Sequence, residues 1–142
     1  MNNLNLEMRK IEKRDMSDVI ELLQSISEFK PSKSDFDTIW FEFHNQPNVH
    51  SVVALIDGVI VGYGSVVIET KIRGGKIGHI EDIVSHVKYR KKKIGKAVVD
   101  SLFEIAKSKG CYKVALQCKE HIVPFYNKCD YELSGSGMMR FL

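Results

Sequence analysis

Two adjacent acids, Glu81 and Asp82, stand in an otherwise apolar stretch, GHIEDIV, and a few residues later the chain turns sharply basic. From Lys88 to Lys96 it carries six basic residues (Lys88, Arg90, Lys91, Lys92, Lys93 and Lys96), no acid and one glycine, Gly95. Ile94, Val98, Leu102 and Ile105 then recur at helical spacing, so the cations crowd the start of a helix. Cations are disfavoured at that end of the helix dipole unless something negative lies between them and it. The first turn also leaves backbone N–H groups free, and glycine lets backbone approach closely. This is the chemistry of a cradle for a phosphate-bearing ligand. A solvated charge run and a nucleic-acid patch are the alternatives. The second lacks interleaved aromatic residues on which bases could stack.

Glu81 and Asp82 admit two readings. Neighbours on a regular strand point to opposite faces, so they form one acid–base site only if a bulge intervenes. Otherwise they mark an edge strand with one face in water. Tyr126, in VPFYNKC, is either a packing residue or a proton donor. His79, His86 and His121 share no ligand spacing, which argues against a metal. Cys111, Cys118 and Cys129 fit neither a disulfide framework nor a zinc site and read as structural thiols. Cys118 as an acyl-carrying nucleophile lacks an evident base. No Gly-x-Ser-x-Gly elbow or Walker loop is present.

The elements that must position these residues follow from periodicity. Leu4 to Ile11 reads as a strand. Asp15 is a candidate N-cap for a helix with Val19, Ile20, Leu22, Leu23 and Ile26 on its apolar face. Ser34 is a second candidate cap, with Asp37 three residues on and an aromatic stripe (Phe36, Ile39, Trp40, Phe43) expected in the core. Asp57-Gly58 signals a hairpin between strands Ser51–Ile56 and Val59–Glu69. The loop KIRGGKIG then leads to a strand from His79 to Val87. After the basic turn and long helix, Gly110 suits the C′ position. Lys113 to Cys118 is a further strand, Pro124 opens a short helix, and a last strand spans Glu132 to Phe141. The order β-α-α-β-β-β-α-β-α-β is that of a mixed α/β domain covering residues 1–142.

With 142 residues, 44% hydrophobic and 27% charged, and a net charge of +3, the composition is that of a soluble globular protein. The N-terminus has no apolar core like that of a signal peptide, and no apolar run approaches a bilayer span, so no membrane role and a cytoplasmic location are expected.

The joint pattern GHIEDIV, YRKKKIGK, GCYKVALQC and VPFYNKCDY, across about the C-terminal half, resembles the GNAT superfamily of N-acetyltransferases. It is most similar to the eukaryotic-type glucosamine-6-phosphate N-acetyltransferases. The resemblance implies a central, mostly antiparallel sheet flanked by helices and splayed after the fourth strand. It implies acetyl-CoA as cosubstrate, with no metal. Arg90, Lys91, Lys92, Lys93, Ile94, Gly95 and Lys96 would cradle the pyrophosphate. Ile83, Val84 and Ser85 would lie along the pantetheine arm, with Phe125, Tyr126 and Lys128 completing the cofactor site. A bulge would let Glu81 and Asp82 both serve the amine, Glu81 as base, and Tyr126 would protonate the departing thiolate. Ser27, Lys71, Arg73, Gln117 and Arg140 would help bind a small phosphorylated amino sugar. The acetylated sugar would feed UDP-N-acetylglucosamine biosynthesis. The enzyme would be a homodimer with shared active sites.

The chain departs from the family pattern in four places. Lys93 replaces a glycine of the R/Q-x-x-G-x-G motif; if that position is left-handed, lysine costs on the order of 1–2 kcal/mol. Gln117 replaces an acid beside the amine, Ile122 replaces an asparagine, and a K-x-x-H phosphate motif is reduced to Lys71, Ile72, Arg73 and Gly74. An acetyltransferase of another small amine or of protein lysine is the alternative the departures raise. A non-catalytic basic module acting on nucleic acid is the remoter one.

Overall fold

The computed structural model describes residues 5–142, with residues 90–92 traced through their backbone. Leu4, the expected start of the first strand, lies outside the described residues. Five strands form one sheet in chain order: β1 (Leu6–Lys10), β2 (Val49–Ile56), β3 (Val59–Thr70), β4 (Lys76–Ser85) and β5 (Cys111–Ala115). The first four pair antiparallel and β5 runs parallel to β4. That parallel step needs a crossover, supplied by the helix α3 (Ile94–Ser108). The remaining helices are α1 (Met16–Leu23), α2 (Phe36–His44) and the short α4 (Val123–Asn127). Among the described residues no helix is long and apolar enough to cross a membrane.

Two apolar layers hold the sheet. Under α3, Ile94, Val98, Val99 and Leu102 are wholly excluded from solvent and meet Val61, Val66 and Ile80 of the sheet. Each such side chain contributes roughly 1.5–3 kcal/mol by leaving water. Gly64 permits this fit: a Cβ there would lie 2.5 Å from Ile83 Cδ1 and 2.9 Å from Leu102 Cδ1. On the opposite face Val19 of α1 packs with Val53, Leu55, Tyr63 and Val84. Trp40 and Phe43 of α2 are only partly buried there, so the aromatic stripe is a half-covered flank and not the core expected. Ile26 lies beyond the end of α1 and is exposed.

The Asp57-Gly58 hairpin forms as expected, with both residues at positive φ. Several expected boundaries move. The loop after β3 shrinks to Lys71–Gly75, closed by Gly74 N–H donating to Lys71 C=O at 3.0 Å, and β4 begins at Lys76. The strand β5 ends at Ala115, leaving Gln117 and Cys118 outside the sheet. The last strand, Glu132 to Phe141, does not form. A strand needs a neighbouring edge to take its backbone hydrogen bonds, and these residues meet none within the described chain, with Gly135 at φ 73 turning them aside.

The helix caps also differ from expectation. A single 3-10 turn precedes α1, and the Asp15 side chain, though at its N-cap position, accepts no hydrogen bond from the first turn of α1. Asp15 is instead buried and accepts from Arg9 at 2.7 and 2.9 Å and from Glu12 N–H at 2.8 Å. Ahead of α2 the turn starts at Ser32, and Ser34 merely shares a hydroxyl contact with it. The Arg9 hydrogen bond holds the Asp15 carboxyl below the ordinary carboxylate range; burial opposes it and the Glu12 N–H helps. Stability from this pair is therefore complete above the ordinary carboxylate pKa and lost as pH falls through the lowered one. Asp15→Asn is expected to cost about 3 kcal/mol at neutral pH, with the gap from wild type closing in strong acid. Urea melts across pH check this, and a gap independent of pH would refute it.

Candidate active site

β4 and β5 pair only from Lys76↔Cys111 to His79↔Ala115, after which β5 leaves. Among the described residues the edge of β4 facing β5 has no strand partner from Ile80 to Ser85, which is the expected splay after the fourth strand. Its backbone groups need hydrogen bonds from water or from an extended ligand.

At the mouth of that opening lies the bulge. Tyr63 pairs with Val84 and Ser65 with Glu81, so Gly64 alone faces both Asp82 and Ile83. Asp82 takes φ 55, the left-handed backbone such an insertion demands. The strict alternation is broken there, and Glu81 and Asp82 are both exposed. Both readings open from sequence are present: the strand is bulged, and it is bulged where its other edge is unpaired.

The basic turn follows directly. His86 takes a β backbone (φ −64, ψ 132), and its Nδ1 accepts from Lys88 N–H at 3.1 Å, starting a 3-10 turn over Val87–Lys92. Lys93, exposed, adopts φ 60 and ψ 28 and swings the chain into α3. The position is thus left-handed and occupied by a residue with a Cβ. The side chains of Arg90, Lys91 and Lys92 lie outside the described residues. Lys96 is already paired with Asp100 at 2.6 Å. Ile94 is wholly buried and Val84 nearly so, so each offers a ligand only its backbone.

The expected cofactor elements converge. A Cβ on Gly95 would lie 3.2 Å from Phe125 Cζ and 4.0 Å from Ser85 Oγ, so the end of β4, the start of α3 and the helix α4 meet there. Phe125 stands edge-on to Tyr126, ring centroids 4.9 Å apart, and Tyr126 to Tyr131 at 6.0 Å. Tyr126 is buried, and burial pushes its phenol up to about 12, with Cys118 and Cys129 adding to the rise. It is a neutral O–H donor at physiological pH, and among the described residues no hydrogen bond occupies that hydroxyl. Lys128 is exposed beside it.

The acceptor-side residues are more scattered. Ser27 sits on an exposed turn after α1. Lys71, paired with Glu69 at 3.1 Å, and Arg73, donating to Tyr112 Oη at 3.4 Å, occupy the β3–β4 turn. From Lys76 to Glu81 the strand alone spans about 17 Å. Arg140 is exposed in the unpaired tail. Gln117 is crossed by that tail, where a Cβ on Gly137 would fall 1.6 Å from its Nε2. A cavity of about 1060 Å³ between α3, β5, α4 and the tail reaches Gln117, Cys118 and Tyr126 but is not lined by the bulge acids. The buried, unpartnered hydroxyl of Tyr131 belongs to a residue of its wall.

Residues 9–131 match the model of the acetyltransferase (GNAT) family. The chain belongs to the GNAT family of acetyltransferases. Among GNAT relatives, glucosamine 6-phosphate N-acetyltransferase 1 of Dictyostelium discoideum is 37% identical, the match covering 86% of this chain and 81% of the relative. The Arabidopsis thaliana enzyme of that activity is 38% identical over 95% of this chain and 97% of its own. The crystal structure of glucosamine-6-phosphate N-acetyltransferase from Arabidopsis thaliana superposes with a TM-score of 0.89 at 34% identity, over 96% of this chain and 98% of that one. GNAT enzymes use acetyl-CoA, and the splay, Gly95 and the free N–H groups of α3 suit an extended pyrophosphate-bearing cosubstrate.

Lys93→Gly is expected to raise the unfolding free energy by about 0.5–1 kcal/mol, relief of the left-handed strain outweighing the added freedom of the unfolded chain. An unchanged or lower midpoint in urea would show that the lysine is held there without strain.

Proposed function

We propose that the protein transfers the acetyl group of acetyl-CoA to the 2-amino group of D-glucosamine 6-phosphate, giving N-acetylglucosamine 6-phosphate and CoA by direct transfer in a ternary complex. The observation that carries this reading is the Asp82 bulge, which sets two carboxylates at the mouth of the splay. The names and extent of the relatives support the sugar as acceptor.

Acetyl-CoA supplies an activated thioester. The acceptor amine is mostly protonated at neutral pH and must lose a proton before it attacks. Glu81 takes that proton directly or through one water, while Asp82 helps hold the ammonium. The backbone N–H groups on the unpaired edge of β4 face the carbonyl oxygen as negative charge gathers on it. Tyr126, neutral and without a competing partner, gives its proton to the departing sulfur. Alignment of amine and thioester contributes several kcal/mol more. Residues 90–96 hold the pyrophosphate, with Lys93 adding a cation at the glycine position of the family motif.

The working unit is a homodimer in the cytoplasm, each chain one catalytic domain. Two observations support a second copy. Met138, Met139, Phe141 and Leu142 are exposed on a tail with no strand partner. Lys71 and Arg73 stand a strand's length from Glu81, farther than one hexosamine phosphate spans, so they and Arg140 meet sugar phosphate across the dimer. The product feeds UDP-N-acetylglucosamine synthesis.

The neutral Gln117 favours a second reading, a GNAT enzyme for a different amine. Thiol release measured across glucosamine 6-phosphate, glucosamine, polyamines and a lysine peptide decides between them. The phosphorylated sugar is expected to give the highest kcat/KM, and a preference for any other amine would overturn the assignment. Tyr126→Phe should lower kcat about 100-fold with CoA affinity unchanged. Equal losses in both would make the ring a packing element and leave the hydroxyl idle.

A further inference from the structure

Behind the bulge runs a buried row of hydroxyls. Ser51 Oγ lies 2.5 Å from Ser65 Oγ, and Tyr63 Oη lies 2.8 Å from the same Ser65 oxygen. All three residues are at most 5% exposed. Register places Ser51 on β2 opposite Ser65 on β3, and Ser65 opposite Glu81 on β4. Directly opposed residues share a face, with Cβ atoms about 4.5–5.5 Å apart. The row therefore crosses the sheet and ends at Glu81, the first register position after β5 has left by more than one residue.

Ser65 Oγ is the middle of the row, within hydrogen-bond distance of both other hydroxyls. The neighbouring side chains on this face, Val53, Val84 and Ile60, are apolar, and Glu81 is the polar side chain next in register to the row. Burial keeps the Tyr63 phenol above its ordinary range, the serine hydroxyls oppose the rise, and the Asp82 carboxylate adds to it. Tyr63 is thus a protonated donor with an acid nearby.

We propose that Ser65, held by Ser51 and Tyr63, is a positioning residue that orients the acidic bulge, and Glu81 above all, toward the acceptor amine. This rests on the acetyl-transfer reading with Glu81 as base. The bulge is a local break in the ladder that no β5 strand pins from the other side. The hydroxyl row ties β2 to β3 at the register step before it, where Ser65 stands opposite Glu81.

A double-mutant cycle tests the coupling. Ser65→Ala and Ser51→Ala are each made in the wild type and in Glu81→Gln, and kcat, the KM for acetyl-CoA and CoA affinity by calorimetry are measured with the fastest amine of the panel. If Ser65 acts through Glu81, Ser65→Ala lowers kcat about tenfold in the wild type and less than about twofold in Glu81→Gln. KM for acetyl-CoA and CoA affinity stay within about twofold of wild type in both. Ser51→Ala moves kcat in the same direction by less, and carries the cycle if Ser65→Ala fails to fold. Losses that multiply independently of Glu81, or that fall on CoA affinity and thermal midpoint with kcat intact, overturn the positioning role. The acceptor assignment fails separately, in the wild type alone, if glucosamine 6-phosphate is not the preferred amine. A wild type that acetylates no amine overturns both.

Discussion

β5 accompanies β4 for four register pairs and then departs, and the rest of the site is arranged around the edge this exposes. Backbone donors and acceptors on an unpaired strand are obligatory hydrogen-bonding groups. Water satisfies them in the free protein, and a ligand with its own amides along an extended arm can replace that water. The same departure makes room for α4, whose Phe125 and Tyr126 occupy the side of the opening that a continuing β5 would have filled. A fully paired sheet would have been the more stable structure locally and would have had no place for a second reactant.

Charge is sorted around this opening by backbone geometry more than by side-chain pairing. The bulge turns two acids toward one mouth, and the left-handed Lys93 turns a basic segment toward the other. Both depend on non-glycine residues at positive φ, a conformation that costs free energy and persists where the surroundings over-determine it. The surroundings here are the two apolar layers, with α3 on one face and α1 with Tyr63 on the other. Tyr126 sits at the boundary of the first layer, buried enough to stay protonated and uncommitted enough to donate.

Much of this was legible in the residues. The Asp57-Gly58 hairpin, the apolar stripe of α3 and the cation-rich helix start follow from local chemistry that tertiary contacts did not override. The bulge was one of two readings of Glu81-Asp82; side-chain patterning alone does not separate an inserted residue from a half-wet strand, and family resemblance was what tipped it. The tail, ELSGSGMMRF, carries two glycines and no regular alternation, and it meets no strand edge within the described residues. Asp15 misled because a cap and an internal ion-pair partner look alike until Arg9 is brought beside it by the β1–α1 turn. The hydroxyl row was visible as Tyr63-Gly64-Ser65 in an apolar strand, a small polar interruption at alternate positions. What joined it to Ser51 and Glu81 was strand register, set by the Asp57-Gly58 hairpin on one side and by the turn after β3 on the other.

Gly64 links the two faces in a way that bears on how the protein can vary. α3 is a stiff rod: its first turn meets the basic segment, its far end feeds β5, and its middle rests on the bare backbone of Gly64. Any side chain at that point would act as a fulcrum under the rod, tilting its N-terminus away from Ser85 and Phe125. The seat of α3 on the sheet thus depends on a position that carries no side chain. At Gly64 a side chain is excluded by leverage and not by chemistry.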